Sequence, residues 1–190
     1  MEIPRRARFG MVLLAAIVAV PTIPAGAQEN SPPKMVDFVD LERYAGLWYE
    51  IARVPNGFQD QCVRNVTAEY VLRDDGRIDV INRCMKEDGS EDKTKGLARI
   101  EDKESNAFLK VSFFSILGWR PVWGDYRVIG LGDDYEYALV GTADRKFGWI
   151  LAREPELSES VLEGLYQQLQ DQGYPDGSFA PTLQSWDGSR

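Results

Sequence analysis

The chain contains no histidine. That removes His-based catalytic triads, histidine-ligated haem and the commonest zinc ligand. It contains two cysteines, Cys62 and Cys84, too few for a four-cysteine metal site. No metal and no cofactor is expected. Positive charge is also scarce. The 22 Lys and Arg face 30 Asp and Glu, a formal net charge of −8. Nucleic acid and anionic membrane surfaces are therefore disfavoured as general electrostatic partners. After Val20 no apolar run approaches the length that crosses a bilayer. Internal repeats and low-complexity runs are missing too.

The one long apolar run, "GMVLLAAIVAV" (Gly10 to Val20), is itself short for a span. Arg5, Arg6 and Arg8 precede it, and "AGA" at Ala25 to Ala27 follows. This pattern predicts a secretory signal peptide over residues 1–27, cut after Ala27. An uncleaved anchor or a buried helix is the alternative, and Pro21 and Pro24 oppose both. "RRARF" leaves the choice between general and twin-arginine export open. No Cys adjoins the cleavage site, so no N-terminal lipid anchor is expected. The protein is then periplasmic or secreted, or peripheral to an outer membrane. In an exported protein two cysteines predict a disulfide, with two free thiols as the alternative. Closing a loop of this length stabilises by about 3 kcal/mol in the chain-entropy model.

What remains reads as one domain over residues 38–190, after a flexible polar leader at 28–37. Eight short β-rich segments follow one another at 46–54, 65–72, 77–84, 95–102, 107–114, 125–131, 135–143 and 147–153. "RDDG" and "GDD" supply tight turns between them. Then the period changes. Val161, Leu162, Leu165, Tyr166 and Leu169 fall on one helical stripe. Ser158 is a fitting N-cap and Gly173, with Pro175 beyond, a fitting stop, which gives a helix over about 158–172 and a loop-like tail over 173–190. The expected fold is all-β: an eight-stranded antiparallel up-and-down barrel (about 46–153) with one C-terminal helix packed outside. A nine-strand sandwich is the alternative, and it has no ready use for that helix.

Alternation along the strands separates two faces. Thr67, Glu69, Asp79, Arg83, Arg99, Lys110 and Arg127 mark a wetted exterior. The opposite face, assigned inward, carries Trp48, Glu50 and Ala52, then Val66, Ala68, Tyr70, Ile78, Val80 and Asn82. It continues with Ala98, Ile100, Leu109, Val111, Phe113, Tyr126, Val128, Tyr137 and Leu139, and closes with Phe147, Trp149, Leu151 and Arg153. Tyr49, Ile51, Ile150 and Ala152 are apolar on the outer face, so their strands should lie under the helix. Such an interior is either a packed core or an apolar cavity with a few orienting polar groups. The candidate ligand-binding set is Tyr70, Val80, Asn82, Val111, Phe113, Tyr126, Val128, Tyr137, Leu139 and Trp149.

These residues resemble a family. "GLWYEIARVPNGFQ" (Gly46 to Gln59) is similar to the first lipocalin motif, "DYEYALV" (Asp134 to Val140) to the second, and Arg153 in "WILAREP" to the arginine of the third. "NVTAEYVLRDDGRIDVIN" and "LKVSFF" resemble the bacterial outer-membrane and apolipoprotein-D-like lipocalins. The resemblance implies a calyx closed at one end that holds small hydrophobic molecules. It implies that Gly46, Trp48 and Arg153 form the closed end, with Arg153 against the Trp48 ring. It also puts Cys62 and Cys84 near the mouth on neighbouring strands.

By the same topology the segment "SFFSILGWRPVWGD" (Ser112 to Asp125) lies at the mouth. Gly118, Pro121 and Gly124 bar regular structure there, yet Ile116, Leu117, Trp119, Val122 and Trp123 are apolar. An apolar lip is expected, which either touches acyl chains or a membrane, or folds over its own barrel. Glu50 is expected to pair with an Arg or to orient a headgroup. The expected function is non-catalytic carriage of a fatty acid or lysophospholipid, with transient membrane contact, by a monomer or homodimer. A retinoid-like polyene is an alternative guest. A lipocalin-type isomerase is an alternative of another class, for which the interior offers only Glu50 and tyrosines.

Overall fold

The computed structural model describes residues 31–185. The expected signal peptide, 1–27, lies outside the described residues. Eight antiparallel strands form the barrel: β1 (Gly46–Arg53), β2 (Arg64–Leu72), β3 (Ile78–Met85), β4 (Glu91–Ile100), β5 (Phe108–Ser112), β6 (Gly124–Leu131), β7 (Tyr137–Gly141) and β8 (Gly148–Ala152). Each strand pairs with the next in sequence, β8 returns to β1, and β1 also pairs β2. The ring is therefore closed, which removes most of the sheet edge that an open β-fold must protect. A short helix α1 (Leu41–Tyr44) precedes β1 and a longer one, α2 (Glu159–Asp171), follows β8. A two-residue strand β9 (Ala180–Pro181) then pairs with the end of β1.

Strand alternation builds two apolar clusters, one inside and one outside the wall. Inside, Trp48, Tyr70, Ile78, Val80, Ala98, Leu109, Val128, Val140 and Leu151 pack together with Val39 and Tyr44 from the segment before β1. Outside, Leu165 and Leu169 of α2 pack on Ile51, Ile129, Leu139, Ile150 and Ala152. Ser158 caps α2 through its hydroxyl, which accepts from the Val161 N–H. Val161, expected on the buried stripe, is exposed, and the helix seats through Leu165 and Leu169.

Three inward assignments are corrected. Tyr137 and Leu139 point outward under α2, and Ala138 and Val140 take the inner face. All residues of β7 after Tyr137 are buried, so its sequence shows no polar side by which to choose. A register shift between Val128 and Gly130 adds an outward Ile129, and Leu139 lies directly over Gly130 where a Cβ would collide with it. Ala52 likewise joins the outer cluster, because β1 shifts register against β8 between Glu50 and Ala52.

The flanking segments are also tied down. From Ser31 onward the expected flexible leader lies against the barrel: the Val36 N–H donates to Val128 O at 3.0 Å, and Lys34 exchanges two bonds with the Gln172 side chain. The expected loop-like tail contributes Tyr174 and Phe179 to the outer cluster and supplies β9.

The closed end is built around Trp48, which is fully buried and donates through Nε1 to Tyr44 O at 2.8 Å. The Arg153 guanidinium lies 3.8 Å from the Trp48 ring centroid. It donates to three carbonyls, of Leu47 at 2.7 Å, Arg43 at 2.6 Å and Ala45 at 3.1 Å. Gly46 turns the chain from α1 into β1 with φ +94°, and a Cβ there would sit 3.6 Å from Arg153 Nη1. One side chain thus takes the Arg43 and Ala45 carbonyls at the end of α1, together with Leu47 O of β1, and lids the tryptophan. Replacing Arg153 with Ala should cost about 2–4 kcal/mol, read as a lower midpoint in urea unfolding. Arg153→Lys should recover only part of the loss, because an ammonium cannot match the planar three-way fork.

Candidate functional site

Above Trp48 the barrel walls enclose a cavity. The cavity has a volume of about 730 Å³, inside the ~300–1,000 Å³ range of small-molecule sites. Its wall takes Val66, Ala68 and Tyr70 from β2, Val80 and Asn82 from β3, and Thr94 from β4. Val111, Tyr126, Val140, Trp149 and Leu151 complete it from β5 to β8. The loops after β1, β5 and β7 reach the opposite end from Trp48 and make the mouth. Phe58, Phe113, Phe114, Val122 and Phe147 line the cavity there. The Phe147 and Trp149 rings are stacked 6.4 Å apart, and Phe58 leans on Phe147 at 5.4 Å.

Seven of the sequence candidates, Tyr70, Val80, Asn82, Val111, Phe113, Tyr126 and Trp149, meet on this one surface. Tyr137 and Leu139 face the helix instead. Val128 is inward but fully buried in the cluster below the cavity. Of the expected lip, Val122 lines the cavity, while Ile116, Leu117 and Trp119 stand in solvent, Trp119 at 67 % and Leu117 without any cover. Trp123 does not belong to the lip. It folds back on the outer wall, its Nε1 donating to Arg120 O at 2.9 Å and its ring lying 4.5 Å under the Arg99 guanidinium. Pro121 and Gly124 turn the chain there, and the outward Arg99 offers a cation to cover the ring.

Sequence reasoning missed Phe58, Gln59, Phe114, Thr94 and Val140. Phe58 and Gln59 were legible: a ring in the polar loop after β1, at the open end, raises the same question as the Ser112 to Asp125 loop. Thr94 was not. It sits in the charged run Glu91 to Lys95, which forms the start of β4 against β3.

Two hydrogen-bonded polar clusters stand out in a wall that also carries Asn82, Thr94 and, toward the mouth, Arg83, Asp92, Asp125 and Asp144. The first centres on Glu50, buried to 3 % exposure. Its Oε1 accepts from Arg53 Nη1 and from Thr182 Oγ1, each at 2.6 Å, and its Oε2 accepts from Gln59 Nε2 at 2.9 Å. Gln59 Oε1 in turn accepts from Trp149 Nε1 at 3.0 Å. Glu50 is thus an ion-pair partner and a brace for the mouth loop, which compensates its desolvation. The second is a line of phenols at the floor: Tyr126 Oη lies 2.7 Å from Tyr44 Oη and 2.8 Å from Tyr70 Oη. Burial raises all three phenol pKa values, that of Tyr70 to about 12. On the β3 wall the Asn82 Oδ1 is buried without a partner among the described residues.

Cys62 and Cys84 form a disulfide across 5.5 Å of Cα separation. It ties the loop before β2 to the end of β3 at the mouth, so the loop that carries Phe58 and Gln59 is anchored at its far end.

A closed barrel over an open-ended apolar cavity is a calyx, a container for one small molecule. A family model described as a lipocalin-like domain matches residues 39–184, and the chain belongs to the lipocalin family. The outer membrane lipoprotein Blc of Citrobacter freundii is 41% identical over 155 residues, covering 80% of this chain and 84% of that protein. Apolipoprotein D of Mus musculus is 34% identical over 152 residues, 75% of each. Among solved structures, insecticyanin from the tobacco hornworm Manduca sexta superposes with a TM-score of 0.64 at 23% identity, over 82% of this chain and 85% of that one, which supports the fold. The word lipoprotein in the Blc name runs against the unanchored state expected of this chain.

The phenols make the site sensitive to alkali. An unfolded tyrosine loses its proton near pH 10, while the folded Tyr70 holds its proton to about pH 12. Between those values the unfolded state binds fewer protons, so stability falls as pH rises. Phenolate absorbance of the folded protein should lag behind that of the denatured chain through this window, and thermal unfolding should shift downward across it.

Proposed function

We propose that this protein is a non-catalytic carrier of a single-chain amphiphile, a fatty acid or lysophospholipid, with its tail in the calyx and its head at the mouth. The observation that carries this reading is the open-ended, mainly apolar cavity of about 730 Å³. Burying an acyl chain against Val80, Val111, Trp149 and their neighbours supplies roughly 25 cal/mol per Å². The headgroup then meets polar partners. Arg83 offers the upper cavity a cation for a carboxylate or phosphate, Asp92, Asp125 and Asp144 there suit the cationic end of a zwitterionic lysophospholipid head, and Asn82 Oδ1 is an acceptor for a head or glycerol group that can donate. Catalysis has little support. Both oxygens of Glu50 are engaged, the cysteines are joined, and there is no histidine.

The exposed lip supports contact with a lipid surface during loading. Leu117, Trp119, Ile116 and Phe114 stand free at the mouth, and apolar groups of this size are expensive to leave wet unless they meet something. Export to the periplasm or beyond fits the disulfide and the names of the relatives.

Ala68, small and on the cavity wall, offers a direct test. Ala68→Phe should fill the calyx and weaken fatty-acid binding at least about tenfold, measured by calorimetry, while the barrel stays folded. Unchanged affinity would place the guest elsewhere. Leu117→Ser with Trp119→Ser should slow lipid uptake from vesicles and leave the equilibrium affinity almost unaltered, which separates a loading role from a wall of the site. Solvent extraction of native protein followed by mass spectrometry identifies the guest, and a coloured polyene there would overturn the acyl reading.

A further inference from the structure

The three phenols at the calyx floor leave one hydrogen unaccounted for. Each phenol brings one proton and an oxygen that can accept. Tyr44, Tyr126 and Tyr70 share two bonds, with Tyr126 in the middle. Three protons therefore meet two bonds, and one O–H is left over in every arrangement. On Tyr44 it would point into the packed cluster beside the Trp48 ring, 5.0 Å away, where its one hydrogen-bond partner among the described residues is Tyr126. A buried donor without an acceptor is costly. The arrangements that avoid this put the spare proton on Tyr70 or Tyr126, and both line the cavity. Burial keeps all three phenols protonated well above neutral pH, so the donor persists.

This donor belongs to an apolar cluster: Val80 pairs with Tyr70 across β2 and β3, and Val80 and Leu151 are clustered with Tyr70, with Val111 and Tyr126 packed against them. A carboxylate would fit poorly against it. One neutral O–H does not offset the desolvation of a full charge, and the field of Glu50 already reaches Tyr70. A neutral oxygen fits: it is far cheaper to bury than a charge, and the bond it accepts from the spare O–H compensates its desolvation and completes the count.

We propose that the calyx floor reads a neutral hydrogen-bond acceptor, a ketone, ester, ether or hydroxyl oxygen, at the buried end of the guest. This rests on the amphiphile reading above and narrows it. The preferred guest is a chain polar at both ends, with an oxygenated function at the end that enters first.

Two fatty acids of equal length test this by calorimetry, one ending in a methyl group and one carrying a ketone on its penultimate carbon. The wild-type protein should bind the keto acid at least as tightly, although water holds it better. Tyr70→Phe with Tyr126→Phe removes both cavity-facing donors, and the keto acid should then fall about tenfold behind. Tyr44→Phe leaves two phenols, one bond and one spare proton at the cavity, so it should keep the wild-type ranking. A methyl-ended chain favoured by the same factor in wild type and double variant overturns the proposal and leaves the carrier reading intact. Binding of neither acid to the wild type overturns both. Should the double variant not fold, a wild-type preference of about tenfold for the methyl-ended chain is enough to reject the floor's role.

Discussion

The fold depends on how its closed end is sealed. A barrel interior is normally filled by its own side chains, and this one is filled only in its lower half. Trp48 plugs the base, and the Arg153 guanidinium covers it while bonding the carbonyls of Arg43, Ala45 and Leu47. That arrangement ties the short helix before β1 to the residue just past the end of β8. Because the seal is complete at one end, the remaining volume can stay open at the other without exposing the core. The Met35–Leu41 segment adds to the seal, with Val39 buried against the inner cluster and its N–H donating to Ser105 O at 2.7 Å.

Much of this architecture was legible before any coordinates. Strands with one polar face, such as β2 with Thr67 and Glu69, declare their orientation, and seven candidate residues from such alternation do line one cavity. Legibility failed where both faces are apolar. β7 runs under α2 on one side and over the cavity on the other, so Tyr137 and Leu139 carry no mark of direction. Bulges were the second blind spot, since Ile129 and Ala52 owe their positions to a register shift that no periodicity announces. The third was packing that depends on a distant partner: Trp123 turns from mouth to wall because Arg99 stands there. The C-terminal tail failed for the same reason. Gln184 bridges the Glu50 and Val66 carbonyls where β1 and β2 part, and that role is invisible without the gap it fills.

The mouth is asymmetric, and the asymmetry follows from strand length. β5 has five residues and β4 has ten, so their pairing stops at Leu97 with Ser112 while β4 continues beside β3. The free edge of that continuation is charged, with Glu91, Asp92, Lys93 and Lys95, as an unpaired edge must be to avoid joining another sheet. Phe113 lies across Gly96 at this step, where a Cβ would collide with its ring. The apolar loop therefore leaves the barrel early and low, beside a charged ribbon. A guest approaching over Phe114, Leu117 and Trp119 meets grease, whereas one approaching over β4 meets charge.

That layout bears on how a negatively charged protein could meet lipid at all. With a net charge of −8 the chain gains nothing from anionic headgroups by long-range attraction. Any contact must be short-ranged and hydrophobic, made by the few side chains that already stand free. The calyx then opens directly behind those side chains, with Val122 of the same loop on its wall. A chain leaving a bilayer would pass from lipid to Phe114 and Val122 to Val111 without its tail crossing water. The polar side chains along that path run from Arg83, Asp92, Asp125 and Asp144 in the upper cavity through Asn82 on the wall to the phenols at the floor, so on the reading proposed above the depth a guest reaches follows where its own oxygens fall along the chain.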